Sequence, residues 1–124
     1  LNPRILIIDE PTTGQDPEMS DGIFEIIRRL HQRGTTILLI THRIDYAAMY
    51  AQRAIVLQHG RLQYDGPIDD LLTDVPLMHA NSLDLPEITK LSMELRESGI
   101  PPHLVGYAEM KAALSQVVEV PHGN

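Results

Sequence analysis

Two adjacent carboxylates and one imidazole stand at corresponding places in this chain. Asp9 and Glu10 end the apolar run Ile5-Leu6-Ile7-Ile8, and His42 follows the run Thr36-Ile37-Leu38-Leu39-Ile40 after one intervening threonine. Neighbouring carboxylates can divide two tasks, holding a hard cation through oxygen and taking a proton from a water. A lone histidine is ordinarily structural, so chemistry at His42 requires the acids beside it, which in turn requires the two runs to be neighbouring strands. Consecutive β-favouring apolar residues read as strands buried on both faces, the habit of a parallel sheet. Pro11 stops the first ladder. In open α/β sheets ligands bind beyond the carboxyl ends of the strands, which is where these three side chains fall.

Between the two runs lies a helix with clear boundaries. Asp16-Pro17-Glu18 supplies an N-cap acid, a proline at the first helical position and an acid in the first turn. Met19, Ile23, Phe24, Ile27 and Leu30 form its apolar stripe. Arg28, Arg29 and Arg33 suit the carboxyl end, and Gly34 can supply a left-handed stop. Strand, helix, strand is a βαβ unit, so a parallel α/β core is predicted.

An apolar strand running into Asp-Glu is the Walker B arrangement, and the following Thr12-Thr13-Gly14-Gln15-Asp16-Pro17 resembles the D-loop of ABC-type ATPases. Thr41-His42 after the second strand looks like that family's H-loop. Ala51 to Pro67 is similar to its closing strands, with an Arg, an apolar run, a glycine turn and an Asp-Gly. The resemblance implies that Asp9 positions Mg²⁺ through water, that Glu10 is the general base, and that His42 contacts the γ-phosphate and orients the attacking water. It also implies that the loop of Thr13, Gly14, Gln15 and Asp16 faces a second ATPase subunit, and that the cofactors are ATP and Mg²⁺. Gln15 stands where the family usually has Leu, and Arg43 where it usually has Asp, which would add positive charge beside the phosphate site.

Neither Gly-x-x-x-x-Gly-Lys-Ser/Thr nor Leu-Ser-Gly-Gly-Gln occurs in the 124 residues. No phosphate-cradling loop is therefore encoded here. The chain reads as the C-terminal portion of a longer ATPase, opening at the Leu-Asn-Pro-Arg that joins the family's signature helix to Walker B, and is expected to be inactive alone.

Further along, Ile44 to Tyr50 reads as a helix, followed by a hairpin of Ala54–Leu57 and Arg61–Asp65 around His59-Gly60. Pro67 opens a short helix, Ile68 to Leu72, with Asp69 and Asp70 in its first turn. The predicted division is 1–72 for the ATPase part, 73–84 for a linker rich in polar residues and proline, and 85–124 for a helical extension. In that extension a Pro-initiated, Gly-terminated helix spans Leu85 to Gly99 with Ile88, Leu91 and Leu95 on one stripe. A second helix runs from about Tyr107 to Val117 with Met110, Leu114 and Val117 inward, and a frayed tail follows Val120. The pattern Leu-x-x-Pro-x-x-x-x-Leu-x-x-x-Leu-Arg-x-x-Gly-Ile-Pro resembles the C-terminal extension of ATPases from energy-coupling-factor importers of cobalt, nickel and vitamins.

The formal net charge of -7 argues against a nucleic-acid partner, which would meet a basic face. The absence of cysteine excludes disulfides and thiolate metal sites. No apolar run approaches the roughly 20 residues that span a bilayer. The resemblance therefore implies a peripheral ATPase at the cytoplasmic face of the membrane, coupled to a transmembrane transporter subunit and paired with a second ATPase, as homo- or heterodimer. Two other readings are an ABC-type ATPase outside transport and a non-enzymatic dimerisation or regulatory piece.

Overall fold

The computed structural model describes residues 3–118. Leu1 and Asn2 of the opening Leu-Asn-Pro-Arg, and the tail after Val120, lie outside the described residues. Strand β1 (Ile5–Asp9) pairs parallel with β2 (Thr36–Ile40), in register from Ile5 opposite Thr36 to Asp9 opposite Ile40. Helix α1 (Pro17–Gln32) joins them. Asp16 takes an extended conformation and its carboxylate accepts the Met19 N–H at 2.8 Å, so the predicted cap is formed. At the other end Gly34 adopts φ 91° and returns its N–H to the His31 carbonyl at 2.9 Å.

Ile8, Ile37 and Leu39 pack beneath Phe24 and Ile27 of α1 and Tyr46 of α2 (Ile44–Tyr50). Phe24 is fully buried and stacks on Tyr46 with ring centroids 4.2 Å apart. Burying a side chain of that size stabilises by about 1.5–3 kcal/mol, before any contribution from ring stacking. The opposite face of the sheet differs from expectation. Ile5, Ile7, Leu38 and Ile40 are 45–64% exposed, because α1 and α2 form a single layer and cover one side. Apolar runs suited to two covered faces meet one layer among the described residues.

Strands β3 (Arg53–Gln58) and β4 (Arg61–Pro67) form a separate antiparallel hairpin. His59 and Gly60 both have positive φ, 49° and 72°, which matches the turn to the right-handed twist of the strands. A register shift between Val56 and Leu57 makes a bulge. Helices α3 (Ile68–Thr73) and α4 (Val75–Ala80) pack against this hairpin. Their cluster of Ile68, Leu71, Leu72, Met78 and Leu85, joined by Ala48 of α2, is the second core. The stretch 73–84, predicted as a linker, thus holds a helix whose Met78 is fully buried. One of its polar residues caps that helix: the Asp74 carboxylate accepts the Leu77 N–H at 3.0 Å.

Helix α5 (Glu87–Glu94) is shorter than predicted and ends in a 3₁₀ turn, Arg96–Ser98, closed by Gly99 at φ 87°. Its inward residues are Thr89 and Ser92, both fully buried, whereas Leu91 is 40% exposed and Leu95 half-buried. The reason is polar. Thr89 Oγ1 donates to the Leu104 carbonyl at 2.8 Å, and Ser92 Oγ accepts the Leu104 N–H at 3.2 Å, so the two hydroxyls dock the 100–106 segment. Helix α6 (Tyr107–Val118) buries Met110, while Leu114 and Val117 stay 38% and 36% exposed. Among the described residues no helix is long and apolar enough to cross a membrane.

Candidate functional site

The parallel register places the residue after β1 beside the residues after β2. Glu10 N–H donates to the Ile40 carbonyl at 2.8 Å, extending the ladder by one bond beyond the strand. Glu10 then turns at φ 44°, a left-handed conformation that costs a non-glycine residue free energy and is held by its surroundings. This turn carries the chain away from the sheet and brings the Glu10 carboxylate to the start of the loop after β2. There Oε1 accepts the His42 backbone N–H at 2.9 Å and lies 2.9 Å from His42 Nδ1. Oε2 has a long contact, 3.5 Å, with the Thr41 hydroxyl.

Asp9 is exposed at the last position of β1, opposite Ile40. The loop that follows is tightened by the Thr13 N–H to the Glu10 carbonyl at 3.3 Å and the Gln15 N–H to the Thr12 carbonyl at 3.1 Å. Gly14, at φ 74°, completes the turn in a conformation glycine adopts without steric cost. Thr12, Thr13, Gly14 and Gln15 face His42 and Arg43 across a cleft of about 200 Å³. Asp16 caps α1 and is not among the residues lining that cleft. A larger groove of about 370 Å³ runs along α6, but its lining of Tyr107, Met110, Lys111, Leu114, Ser115 and Val118 holds no carboxylate or imidazole. The smaller cleft has an imidazole, His42, in its lining, with the Glu10 carboxylate against it.

Arg43, expected to add free positive charge here, is instead neutralised. Its Nε and Nη2 reach Asp45 Oδ1 and Oδ2 at 3.1 and 2.7 Å, a two-pronged pair that raises the guanidinium's already high pKa. Burial pushes the Asp45 carboxyl up, but the Arg43 hydrogen bonds and charge outweigh it and leave Asp45 below the ordinary value. The guanidinium also lies 4.6 Å above the Tyr46 ring. The Tyr46 hydroxyl donates to Asp21 of α1 at 2.9 Å, and its own pKa is raised by burial and by that acid. The sequence reading missed Asp21, Asp45 and Tyr46. Residues two apart do not face each other on a helix, and Arg43 reaches Asp45 because it sits at the non-helical cap of α2.

Among the described residues no group of three or more His, Cys, Asp or Glu is disposed to hold a metal ion. A single exposed acid suits Mg²⁺ only as a supplement to phosphate oxygens and water, which is the usual way Mg²⁺ is bound beside a nucleotide.

No family model matches the chain. It is 38% identical over 101 residues to the energy-coupling factor transporter ATP-binding protein EcfA2 of Streptococcus pyogenes serotype M5 (strain Manfredo), a match that takes in 82% of this chain and 36% of that protein. The same figures hold for EcfA2 of Streptococcus pyogenes serotype M3 (strain SSI-1). The structure of cbiO1 from Clostridium perfringens, part of the ABC transporter complex cbiONQ, superimposes with a TM-score of 0.53 and 32% identity over 74% of this chain and 37% of that one. The chain spans about a third of the length of these proteins. The likeness to ATP-binding subunits of energy-coupling-factor type, and the α/β class with parallel strands and a hairpin, are borne out.

Proposed function

We propose that this chain supplies the Walker B, D-loop and H-loop portion of the ATPase subunit of an energy-coupling-factor transporter importing a metal ion or vitamin. The observation that carries the reading is the contact of Glu10 Oε1 with both the N–H and the Nδ1 of His42, each at 2.9 Å. Residues 32 apart in sequence meet only because β1 and β2 are adjacent and parallel.

In this reading Glu10 is the general base. Its Oε1 is occupied by His42 while Oε2 is weakly engaged, so Oε2 has lone pairs free to take a proton from water. His42, 74% exposed, has its ring edge open to the cleft, where it contacts the γ-phosphate and orients the attacking water. Asp9 holds Mg²⁺ through water. The ion, when bound there, would supply positive charge against the nucleotide phosphates. The loop of Thr13, Gly14, Gln15 and Asp16 meets a second ATPase subunit, and residues 85–124 form an extension beyond residues 1–72, joined through 73–84. The assembly works at the cytoplasmic face of the membrane on a transmembrane partner.

Steady-state ATP hydrolysis by the full-length protein tests the reading. Turnover that is lost when Glu10 is replaced by Gln supports it, and a parent protein without turnover removes it.

A further inference from the structure

We infer that Arg43 is a positioning residue for the Glu10–His42 pair. The inference rests on the reading of that pair as the reacting one, and it starts from how little else holds His42. The imidazole is 74% exposed, so packing does not orient the ring over Glu10. Its direction is set by its own backbone, and that backbone is fixed from the next residue along.

Arg43 is anchored on both sides. Its fork closes on Asp45 at 3.1 and 2.7 Å, and its guanidinium plane rests 4.6 Å above the Tyr46 ring. Tyr46 is packed in the core, 3% exposed, stacked on Phe24, with its hydroxyl donating to Asp21 of α1. The Arg43 backbone N–H donates to Thr41 Oγ1 at 3.0 Å, closing residues 41–43 into a turn with His42 at its apex. From that apex the His42 N–H and ring both point at Glu10 Oε1. Helices α1 and α2 therefore set the ring through Arg43. The guanidinium charge is neutralised by Asp45, so Arg43 acts through geometry rather than as a second cation in the cleft.

Arg43→Lys, Asp45→Asn and the double variant in the full-length protein separate the two roles. Lysine keeps the charge but loses the planar fork and the stacking. Positioning predicts that each single variant lowers kcat by about tenfold or more with KM within about threefold, because a small misplacement of a reacting group is felt in the rate. The double variant is no slower than either single, since both remove one clamp. In the nucleotide-free full-length protein, hydrogen exchange of the His42 amide rises by about tenfold in Arg43→Lys, as its bond to the carboxylate loosens, while the Ile8 amide is unchanged. The exchange measurement reads the same in a protein that hydrolyses nothing, so its outcome is separate from that of the proposed activity. Parental kcat and parental His42 exchange in Arg43→Lys would overturn the inference. So would an Asp45→Asn protein that binds MgATP more tightly, since a freed Arg43 would then be a phosphate-binding cation.

Discussion

Glu10 Oε1 takes two contacts from one residue, the backbone N–H and the ring Nδ1 of His42, each at 2.9 Å. An ionised carboxylate only accepts hydrogen bonds, so Nδ1 carries a proton in this arrangement. The remaining nitrogen, Nε2, is then an acceptor in the neutral ring and a donor in the imidazolium. A phosphate oxygen requires a donor. Holding Glu10 through Nδ1 and a phosphate oxygen through Nε2 at the same time therefore requires both ring nitrogens of His42 to donate.

The Arg43–Asp45 pair makes stability depend on acid. The Asp45 carboxyl lies below its ordinary 3.8 in the folded chain, with Arg43 overcoming the opposing effect of burial. A depressed carboxyl pKa contributes stability that is complete above the unfolded value and disappears as pH falls through the folded one. Thermal unfolding of the chain and of Asp45→Asn should therefore differ near neutrality and converge as pH falls from about 5 through the lowered folded-state value of Asp45. A difference that stays constant over that range would show that Asp45 does not titrate with folding.

Helix α5 offers a reversal of the usual ranking of apolar over polar positions. Thr89→Val removes the donor to the Leu104 carbonyl and leaves that oxygen short of a partner, at a cost of about 1–3 kcal/mol. Leu91→Asp, at a 40% exposed site, should cost less than about 0.5 kcal/mol. Urea unfolding of both variants checks the order, with equal slopes showing that the denatured states are comparable. A larger loss at Leu91 would return the buried face to the leucine stripe.

What was legible in the sequence follows from how local each signal is. The Asp16 cap, the Gly34 stop and the His59-Gly60 turn each need only a few neighbouring residues, and all are formed. The apposition of Glu10 and His42 followed from two strands of matched length, since a parallel register aligns their ends. The inward face of α5 was not legible, because Thr89 and Ser92 are buried by bonds to Leu104, more than ten residues away. The bare face of β1 and β2 has the same origin. An apolar run shows that a strand can be covered twice, and whether it is covered depends on layers elsewhere. The Arg43 clamp was hidden because its spacing is unremarkable until Arg43 is placed outside the helix.

The chain by itself should bind no MgATP at micromolar concentration. Arg43, the arginine in the lining of its cleft, is already paired with Asp45, and the Glu10 carboxylate lies against His42 of the same lining. No glycine-rich phosphate loop or its lysine is encoded in the 124 residues to offset the repulsion of a polyanion. Titration calorimetry on the 124-residue chain is the check, and saturable micromolar binding would place a phosphate site within these residues.

Replacing Glu10 by Gln isolates proton transfer from geometry. The amide oxygen of Gln accepts the His42 N–H and Nδ1–H as Oε1 does, and the φ 44° backbone is asked of the same number of side-chain atoms. The amide cannot take a proton. In the full-length protein, Glu10→Gln should leave MgATP affinity within about threefold while hydrolysis falls about 10²–10⁴-fold, the usual contribution of a positioned base. Asp9→Asn should behave differently, weakening Mg²⁺ and so reducing nucleotide affinity together with rate. With hydrolysis blocked, Glu10→Gln should also accumulate an ATP-bound dimer on size exclusion. Equilibrium MgATP affinity set beside the steady-state rate decides the matter. If Glu10→Gln turns over within about threefold of the parent, the proton goes elsewhere and Glu10 serves only to hold His42.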